Sequence, residues 1–234
     1  MKDYDKYYKE NLYPLQNGVL NLVKKLNTPF FLTGGTALSR FRYNHRYSDD
    51  LDFFVIDDSN YKKYVQQILK NLNNHKIFNL DLKNINIGKS FTRIFLNPLN
   101  NSEISLQVDF INDIAKYFGN VLNHKEFGQI DNWRNILSNK LTALFRSEPK
   151  DVVDIWIISK NEQFNWEELL NEAKAKESGI NPEIVFEMLK SFPISYIENI
   201  KWISGINYSE FEKDIKIIAE EILLGQDNSL VIRK

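Results

Sequence analysis

Cysteine is absent from this 234-residue sequence, and histidine occurs only three times. The chain therefore forms no disulfide bond and has no thiolate nucleophile, and three scattered histidines do not suit the common structural zinc sites. If the chain binds a metal, we expect a hard cation that is held by carboxylate oxygens.

Long hydrophobic runs are missing as well. The first stretch, "MKDYDKYYKENLYPL", is polar and charged, and no later apolar run reaches the roughly 20 residues that cross a bilayer. Neither sign of charge is in large excess, since 30 basic residues stand against 31 acidic ones. We therefore expect a cytoplasmic protein with no membrane segment, in which any polyanionic partner is bound by a local basic patch.

The residues that are present have the composition of a globular protein, with 43% hydrophobic side chains and enough length for one or two domains. Apolar residues at helical spacing between Tyr13 and Leu26 are followed by β-like runs that continue to "ISLQVDFIND". From about Asn132 the periodicity is helical in successive segments. We predict an α+β fold, with an N-terminal mixed sheet and flanking helices in residues 1–125 and a C-terminal helical domain in residues 126–234.

Closely spaced acids precede a buried strand in "YSDDLDFFV". Successive side chains of an extended strand point to opposite faces, so Asp50 and Asp52 share one face, while Asp49 shares the other with Leu51 and Phe53. Two neighbouring ionised carboxylates repel each other unless a cation lies between them, and Mg²⁺ prefers carboxylate oxygens together with substrate phosphates. The pattern indicates a metal site, although a polar turn with solvated acids fits the same spacing.

Two further features lie on either side of these acids. Upstream, "TGGTAL" joins a strand to a helix through Gly34 and Gly35, which lets backbone N–H groups approach a phosphate closely. It lacks the spacing of the P-loop and of the dinucleotide fingerprint, and simple turn chemistry also accounts for it. Downstream, "LQVDFIND" places Asp109 on the strand face opposite to Val108 and Phe110, where an ordinary surface acid is the alternative.

The combination resembles a known family. "GGTAL", "HRYSDDLDFF" and "VDF" follow the order of the nucleotidyltransferase signature, and "ILSNKLTALFRSEPKDVVDIW" is similar to the second motif of the AbiEii/AbiGii toxin group of minimal nucleotidyltransferases. These motifs span most of the segment from Gly34 to Trp156. The resemblance implies a nucleotidyltransferase-type N-terminal domain of the polymerase β-like superfamily.

The first motif of the family binds a nucleotide and its metal. The resemblance implies that the glycine turn holds the triphosphate of an NTP substrate and that carboxylates hold Mg²⁺, or Mn²⁺ in its place. Relatives often have Gly-Ser where this chain has Gly-Gly-Thr, so any hydroxyl at the turn would come from Thr36. The implied residues are Gly34, Gly35 and Thr36 for the nucleotide, Asp50, Asp52 and Asp109 for the metal, and the first two of these acids for catalysis.

The second motif adds charged residues from the helical half, so that the helical domain would contribute Lys140 and Asp151 to the site. The resemblance implies that both are catalytic, that Lys140 and Arg146 contact the nucleotide phosphates, and that Asp154 is a secondary candidate. The residue pattern leaves another interpretation open. Lys140 lies beside an apolar helical stripe and Asp151 near a helix N-terminus, so these charges also suit an ion-pair lattice that joins two helices.

The implied reaction is Mg²⁺-dependent transfer of NMP from an NTP to an acceptor hydroxyl, which requires positioning and charge neutralisation but no covalent protein nucleophile. The resemblance implies an RNA acceptor, with tRNA ends the best-known case, and a toxin role in a toxin–antitoxin or phage-defence system with an antitoxin partner. Two alternatives stay open at this point. The acceptor is a protein or a small molecule, or the chain is a catalytically silent module that binds RNA or a protein.

Overall fold

The computed structural model describes residues 4–231, which fall into two compact units. The first unit comprises the described residues up to 114 together with 120–132, and the second comprises 115–119 and the residues from 133 onward. Within residues 4–231, every helix is too short or too polar to span a membrane.

The first unit is built around one mixed sheet of eight strands. Seven of them follow the order β3-β5-β6-β2-β1-β8-β7, and β4 pairs with β5. The strands are β1 (Phe31–Thr33), β2 (Leu51–Ile56), β3 (Phe78–Leu80), β4 (Asn86–Ile87), β5 (Phe91–Pro98), β6 (Leu106–Asp113), β7 (Leu122–His124) and β8 (Gly128–Ile130).

The helices of the first unit precede or connect these strands. An N-terminal run begins as α1 (Tyr4–Tyr7), passes through a π-helical segment at Tyr8–Leu12 and continues as α2 (Tyr13–Leu26). The glycine turn forms the start of α3 (Gly34–Leu38), which a second π-helical segment extends to Tyr43, and α4 (Tyr61–Asn73) follows β2.

One face of the sheet carries the hydrophobic core of the first unit. Strand β2 alternates as the pleat requires, with Leu51, Phe53 and Val55 buried and the side chains between them more exposed. The Phe53 ring stacks on Phe110 of β6 at 5.4 Å between centroids. The Tyr61 hydroxyl of α4 lies 3.0 Å from the Phe110 carbonyl oxygen, so α4 packs on this face. The opposite face therefore carries Asp52.

The second unit consists of helices, as the periodicity predicts. Its α-helices are α5 (Trp133–Ala143), α6 (Pro149–Asn161), α7 (Trp166–Lys176), α8 (Pro182–Lys190) and α9 (Tyr208–Leu224), with 3₁₀ turns at Leu144–Arg146 and Ile194–Asn199. Three of these helices begin at an asparagine cap. The side chains of Asn165, Asn181 and Asn207 each accept a hydrogen bond from the backbone N–H three residues later, which satisfies an otherwise unpaired donor of the first turn.

The fold class is confirmed, since a mixed sheet with flanking helices is followed by a helical region. Three elements have no counterpart in the sequence analysis. Residues 86–87, within a stretch that reads as a turn, form the short strand β4, residues 122–130 form the hairpin of β7 and β8, and the polar N-terminal stretch is helical from Tyr4.

Candidate active site

Four neighbouring strands bring polar side chains into one row across the sheet. Asp52 on β2 pairs with Thr33 on β1 and with Asp109 on β6, and Asp109 pairs in turn with Arg93 on β5. Directly opposed residues of paired strands project from the same face of a sheet. Thr33, Asp52, Asp109 and Arg93 therefore form a continuous polar row, which we call the acid row.

Asp109 is held by two neighbouring side chains, those of Arg93 and Gln107. Its Oδ1 accepts a hydrogen bond from Arg93 Nε at 2.8 Å, and its Oδ2 accepts one from Arg93 Nη2 at 2.7 Å. Gln107 Nε2 donates a third hydrogen bond to Oδ2 at 3.2 Å. The Asp109 side chain is 7% exposed and the Arg93 side chain 41% exposed, so the pair combines a buried carboxylate with a guanidinium at the surface.

Asp50 and Asp52 lie within electrostatic range of the same guanidinium. The pKa of Arg93 is raised, chiefly by its hydrogen bonds to Asp109, while partial burial acts in the opposite direction. The charges of Asp50 and Asp52 raise it further. Both carboxylates are partly exposed. The structure thus brings together the three acids that the sequence analysis selects, and it adds Arg93 to them.

The glycine turn contacts the acid row directly. Gly34 has a φ of +68°, and a Cβ at this position would lie 2.7 Å from Oδ2 of Asp52. A Cβ on Gly35 would collide with the buried guanidinium of Arg46 and would lie 3.0 Å from Ser48 Oγ. A side chain at either position would therefore require a neighbour to move, and at Gly34 the positive φ favours glycine in addition.

Thr36 fixes the acid-bearing segment to the turn. Its side chain is 1% exposed, and its hydroxyl donates a hydrogen bond to the backbone carbonyl of Asp50. Thr33 is fixed in a similar way, since its hydroxyl donates to Asp131 Oδ2 at 2.6 Å and the Asp131 N–H donates to the Leu32 carbonyl at 2.8 Å. These hydroxyls thus make hydrogen bonds within the protein.

The N-terminal helical run holds the loop before Asp50. Gln16 of α2 is fully buried, and its Nε2 lies 3.0 Å from the carbonyl oxygens of both Ser48 and Asp49. The Tyr8 hydroxyl donates to Asp49 Oδ1, and the Tyr8 ring stacks on Tyr47 at 4.3 Å. Burial, with the Asp49 carboxylate beside it, raises the pKa of Tyr8 far above its ordinary value, so the hydroxyl stays protonated as the donor.

Sequence reasoning missed these supporting residues for one reason. Tyr8, Gln16, Arg46, Arg93 and Asp131 each read locally as ordinary core or surface positions, and the contacts that matter join distant parts of the chain. The sequence offers one signal for such residues, namely a polar side chain at a position that the apolar pattern predicts to be buried. A glutamine among the apolar positions of a helix requires partners for its amide, which Gln16 finds 32 and 33 residues away.

The second unit contains the other predicted residues as an ion-pair cluster. Lys140 Nζ of α5 lies 2.7 Å from Asp151 Oδ1 and 2.7 Å from Asp154 Oδ2, both on α6. Arg146 Nη2 lies 3.0 Å from Asp151 Oδ2. Both carboxylates are fully buried, whereas the Arg146 side chain is 65% exposed. These contacts form the ion-pair lattice between two helices that the residue pattern allows, and a role for these residues in nucleotide binding stays a prediction.

The donor set of the acid row fits Mg²⁺ with a phosphate-bearing ligand. Within residues 4–231, no three acidic or imidazole side chains are arranged as a metal site of protein ligands alone. Mg²⁺ usually retains several waters and binds through one or two carboxylates together with substrate phosphates. The carboxylates of Asp50 and Asp52, with the glycine turn against Asp52, supply that number of protein ligands.

Comparison with known proteins places a family domain on this part of the chain. Residues 22–115 match the model of the family described as nucleotidyl transferase AbiEii toxin, type IV TA system. The matched segment contains the glycine turn and every residue of the acid row, and it ends before Lys140 and Asp151.

Individual relatives are more distant. An uncharacterized protein of Aquifex aeolicus, aq_aa25, is 24% identical over 173 residues, which cover 70% of this chain and 73% of that protein. JHP933 from Helicobacter pylori has a TM-score of 0.58 at 21% identity, covering 94% of this chain and 93% of its own. MenT4, the nucleotidyltransferase toxin Rv2826c from Mycobacterium tuberculosis H37Rv, has a TM-score of 0.58 at 13% identity, covering 90% and 82%. These two structures share the fold of this chain.

Proposed function

We propose a function from the match of residues 22–115 to the model of the AbiEii nucleotidyltransferase toxin family, which confirms both the resemblance and the predicted enzyme class. The protein transfers a nucleoside monophosphate from an NTP to an acceptor hydroxyl, with pyrophosphate as the leaving group. It requires Mg²⁺, or Mn²⁺ in its place, and Asp50 and Asp52 hold the metal. The acceptor is RNA, and the end of a tRNA is the candidate to test first.

One observation carries this proposal, namely the contact between the glycine turn and the acid row. The absent side chain at Gly34 leaves room for the Asp52 carboxylate, and Thr36 ties the turn to Asp50. A triphosphate bound at the turn would therefore lie beside the two acids that bind its metal. An isolated turn or an isolated pair of surface acids would require no such contact.

The residues of this chain act by positioning. The turn made by Gly34 and Gly35 orients the triphosphate, and the hydrogen bond from Thr36 fixes Asp50 relative to that turn. The metal neutralises charge on the phosphates and on the departing pyrophosphate when it is bound. Asp52 is paired in register with Asp109, so the sheet fixes the backbone position from which the Asp52 carboxylate would reach the metal.

An RNA acceptor is supported by a basic and aromatic surface on the first unit. The rings of Phe41, His124 and Phe127 lie 4.4 to 5.4 Å apart, and each is partly exposed. The side chains of Arg42 and Lys125 beside them are exposed. Bases of single-stranded nucleic acid stack on aromatic side chains while cations attract the backbone, which is the combination present here. We call Phe41, His124 and Phe127 the aromatic patch.

The family match also supports a proposed role in the cell. A family described as the toxin of a type IV TA system implies that this protein is the toxin of such a pair and that an antitoxin checks it. The expected cytoplasmic location agrees with that role. Lys140 and Asp151 are proposed to assist the reaction, with Arg146 contacting phosphate and Asp154 supporting Lys140, and the variants of Lys140 considered below test this part separately.

A labelling experiment tests the proposal. Each α-labelled NTP is offered with Mg²⁺ to the wild-type protein, to Asp52→Ala and to Asp113→Ala, first with total tRNA and then without it. Asp113 is a matched control because it lies four residues after Asp109 on the same strand, next to Ile56 of β2. Labelled RNA from the wild type and from Asp113→Ala, and none from Asp52→Ala, is the expected result.

Other outcomes overturn specific parts of the proposal. Label on a polypeptide, or on a small molecule, would move the acceptor to that class and leave the nucleotidyltransferase chemistry in place. No labelled product under any condition, together with no NTP binding, would mean that the domain is a catalytically silent binding module. Equal labelling by wild type and Asp52→Ala would remove Asp52 from the active site.

A further inference from the structure

Arg93 pairs with Asp109, the carboxylate of the acid row that would otherwise be available as an additional metal ligand. Its guanidinium binds both oxygens of Asp109, and Gln107 donates to one of them as well. Three hydrogen bonds thus fill much of the acceptor capacity of a carboxylate that is 7% exposed. A metal that used Asp109 as a direct ligand would have to replace charge-assisted bonds, which are the stronger class of hydrogen bond in proteins.

Arg93 also offsets negative charge in the site. Asp50, Asp52 and Asp109 are negatively charged when ionised, and the guanidinium of Arg93 cancels one of these charges. The bidentate geometry is the fork-to-fork arrangement that a guanidinium and a carboxylate favour, so the pair has one fixed orientation across the β5 and β6 register.

We propose that Arg93 is a positioning residue that converts Asp109 from a metal ligand into a fixed counter-charge, and that direct metal ligation falls to Asp50 and Asp52 alone. This inference rests on the proposed function, because it concerns the metal at that site. It differs from the implication of the family resemblance, in which Asp109 is a third ligand. The two assignments predict different responses when both members of the pair are replaced.

Metal affinity distinguishes the two assignments without requiring turnover. The probe is Mn²⁺ alone, and its dissociation constant is measured by electron paramagnetic resonance for wild type, Asp52→Asn, Asp109→Asn, Arg93→Gln and the double variant R93Q/D109N. Arg134→Gln is the control for loss of an arginine charge, since Arg134 is 30% exposed and pairs with Glu168 and Glu172 in the second unit.

The double variant gives the decisive measurement because it preserves the net charge of the site. If Asp109 is a counter-charge, Asp109→Asn weakens Mn²⁺ binding by about tenfold, since Arg93 then repels the cation without compensation. Arg93→Gln tightens binding, and the double variant returns to within about threefold of wild type. If Asp109 is a ligand, the double variant recovers only the electrostatic part of the loss and binds Mn²⁺ more than about threefold more weakly than wild type, and that result overturns the proposal.

Asp52→Asn separates failure of this inference from failure of the proposed function. Loss of Mn²⁺ binding in Asp52→Asn, together with near wild-type binding in R93Q/D109N, supports both the proposed function and the role of Arg93. Binding that is lost in Asp52→Asn and stays weak in the double variant overturns the role of Arg93 alone. Binding that is unchanged in Asp52→Asn overturns both, because the metal then binds elsewhere.

A conservative variant keeps the inference testable if the double variant does not fold. Arg93→Lys retains the charge and removes the bidentate fork. A counter-charge role predicts that Mn²⁺ affinity stays within about threefold of wild type, because the electrostatic balance is kept. A ligand role predicts tighter binding, because Asp109 is released more easily to the metal. Thermal unfolding of each variant, and an unchanged Mn²⁺ affinity for Arg134→Gln, complete the set.

Discussion

Gly34 and Asp52 are adjacent because position 34 has no side chain: a Cβ there would lie 2.7 Å from the Asp52 Oδ2 atom. The residues are 18 positions apart in the sequence, yet the antiparallel pairing of β1 and β2 brings the start of the glycine turn beside the acid. The turn and the acid-bearing strand therefore form one structural feature.

Replacing Gly34 by alanine should impair the site more than the fold. The new methyl group would displace the Asp52 carboxylate, and the φ of +68° is strained for any residue with a Cβ. We expect a loss of about 1–3 kcal/mol in the free energy of unfolding and at least a hundredfold loss of labelling activity. Gly205→Ala is the control, since a Cβ there meets no atom within 4 Å. Equal effects of the two substitutions would contradict the proposed contact.

Removing the Gln16 amide should slow the reaction without unfolding the protein. Gln16→Leu keeps the volume of the side chain but leaves the carbonyls of Ser48 and Asp49 without these donors. We expect kcat to fall by about tenfold with little change in the KM for NTP, because the acids lose their fixed position while the turn is kept. Gln67→Leu on the exposed side of α4 serves as the control. A fall in thermal stability with unchanged kcat would mean that Gln16 has only a structural role.

Substitution in the aromatic patch should weaken binding of the RNA acceptor and leave binding of the nucleotide unchanged. Phe127→Ala removes a ring that lies 4.4 Å from Phe41 and 5.2 Å from His124. If RNA bases stack there, KM for RNA should rise by about tenfold while the dissociation constant of NTP stays constant. Tyr196→Ala, which removes an exposed ring from the second unit, is the comparison. Equal RNA affinity in wild type and Phe127→Ala would exclude the patch as the acceptor surface.

Lys140 should contribute more than Arg146 to the stability of the second unit. Lys140→Met leaves the fully buried carboxylates of Asp151 and Asp154 without their shared cation, and breaking a buried pair in this way costs about 3–5 kcal/mol. Arg146→Gln should cost less than about 1 kcal/mol, because the Arg146 side chain is 65% exposed. Urea denaturation of both variants tests the comparison.

Activity measurements on variants of Lys140 test the separate prediction that the ion-pair cluster of the second unit takes part in catalysis. Lys140→Arg keeps the charge between the two carboxylates and allows activity to be compared in a folded protein. Lost labelling with wild-type stability would support a catalytic role for Lys140, whereas activity that follows stability across the series would support the ion-pair lattice alone.

Much of the architecture was predictable because its signals are local. The apolar periodicity of Tyr13–Leu26 and the alternation of Leu51, Asp52 and Phe53 depend only on neighbouring residues, and both elements form as predicted. The short strand β4 and the hairpin of β7 and β8 carry too few apolar residues to be recognised, and they form through pairing with distant strands.

The grouping of the acids of the candidate site was predictable from the sequence, but the arginine that pairs with Asp109 was not. Asp52 and Asp109 lie in strands and Asp50 directly precedes β2, and these local contexts are recognisable in the sequence, whereas the partner of Asp109 depends on the register between β5 and β6. No local pattern distinguishes Arg93 from the many exposed cations of the chain. The register across strands is a tertiary property, and it determined which charges meet.

The position of Tyr8 and Gln16 also affects how the protein can be dissected. Both residues precede position 22, where the match to the family domain begins, yet both bind the loop that carries the acids. A fragment cut at the boundary of the family domain would retain all three carboxylates and lose both of these anchors. Domain boundaries taken from sequence families would therefore yield a truncated protein that has the three acids without the contacts that hold their loop, and the N-terminal helical run should be kept in any minimal fragment.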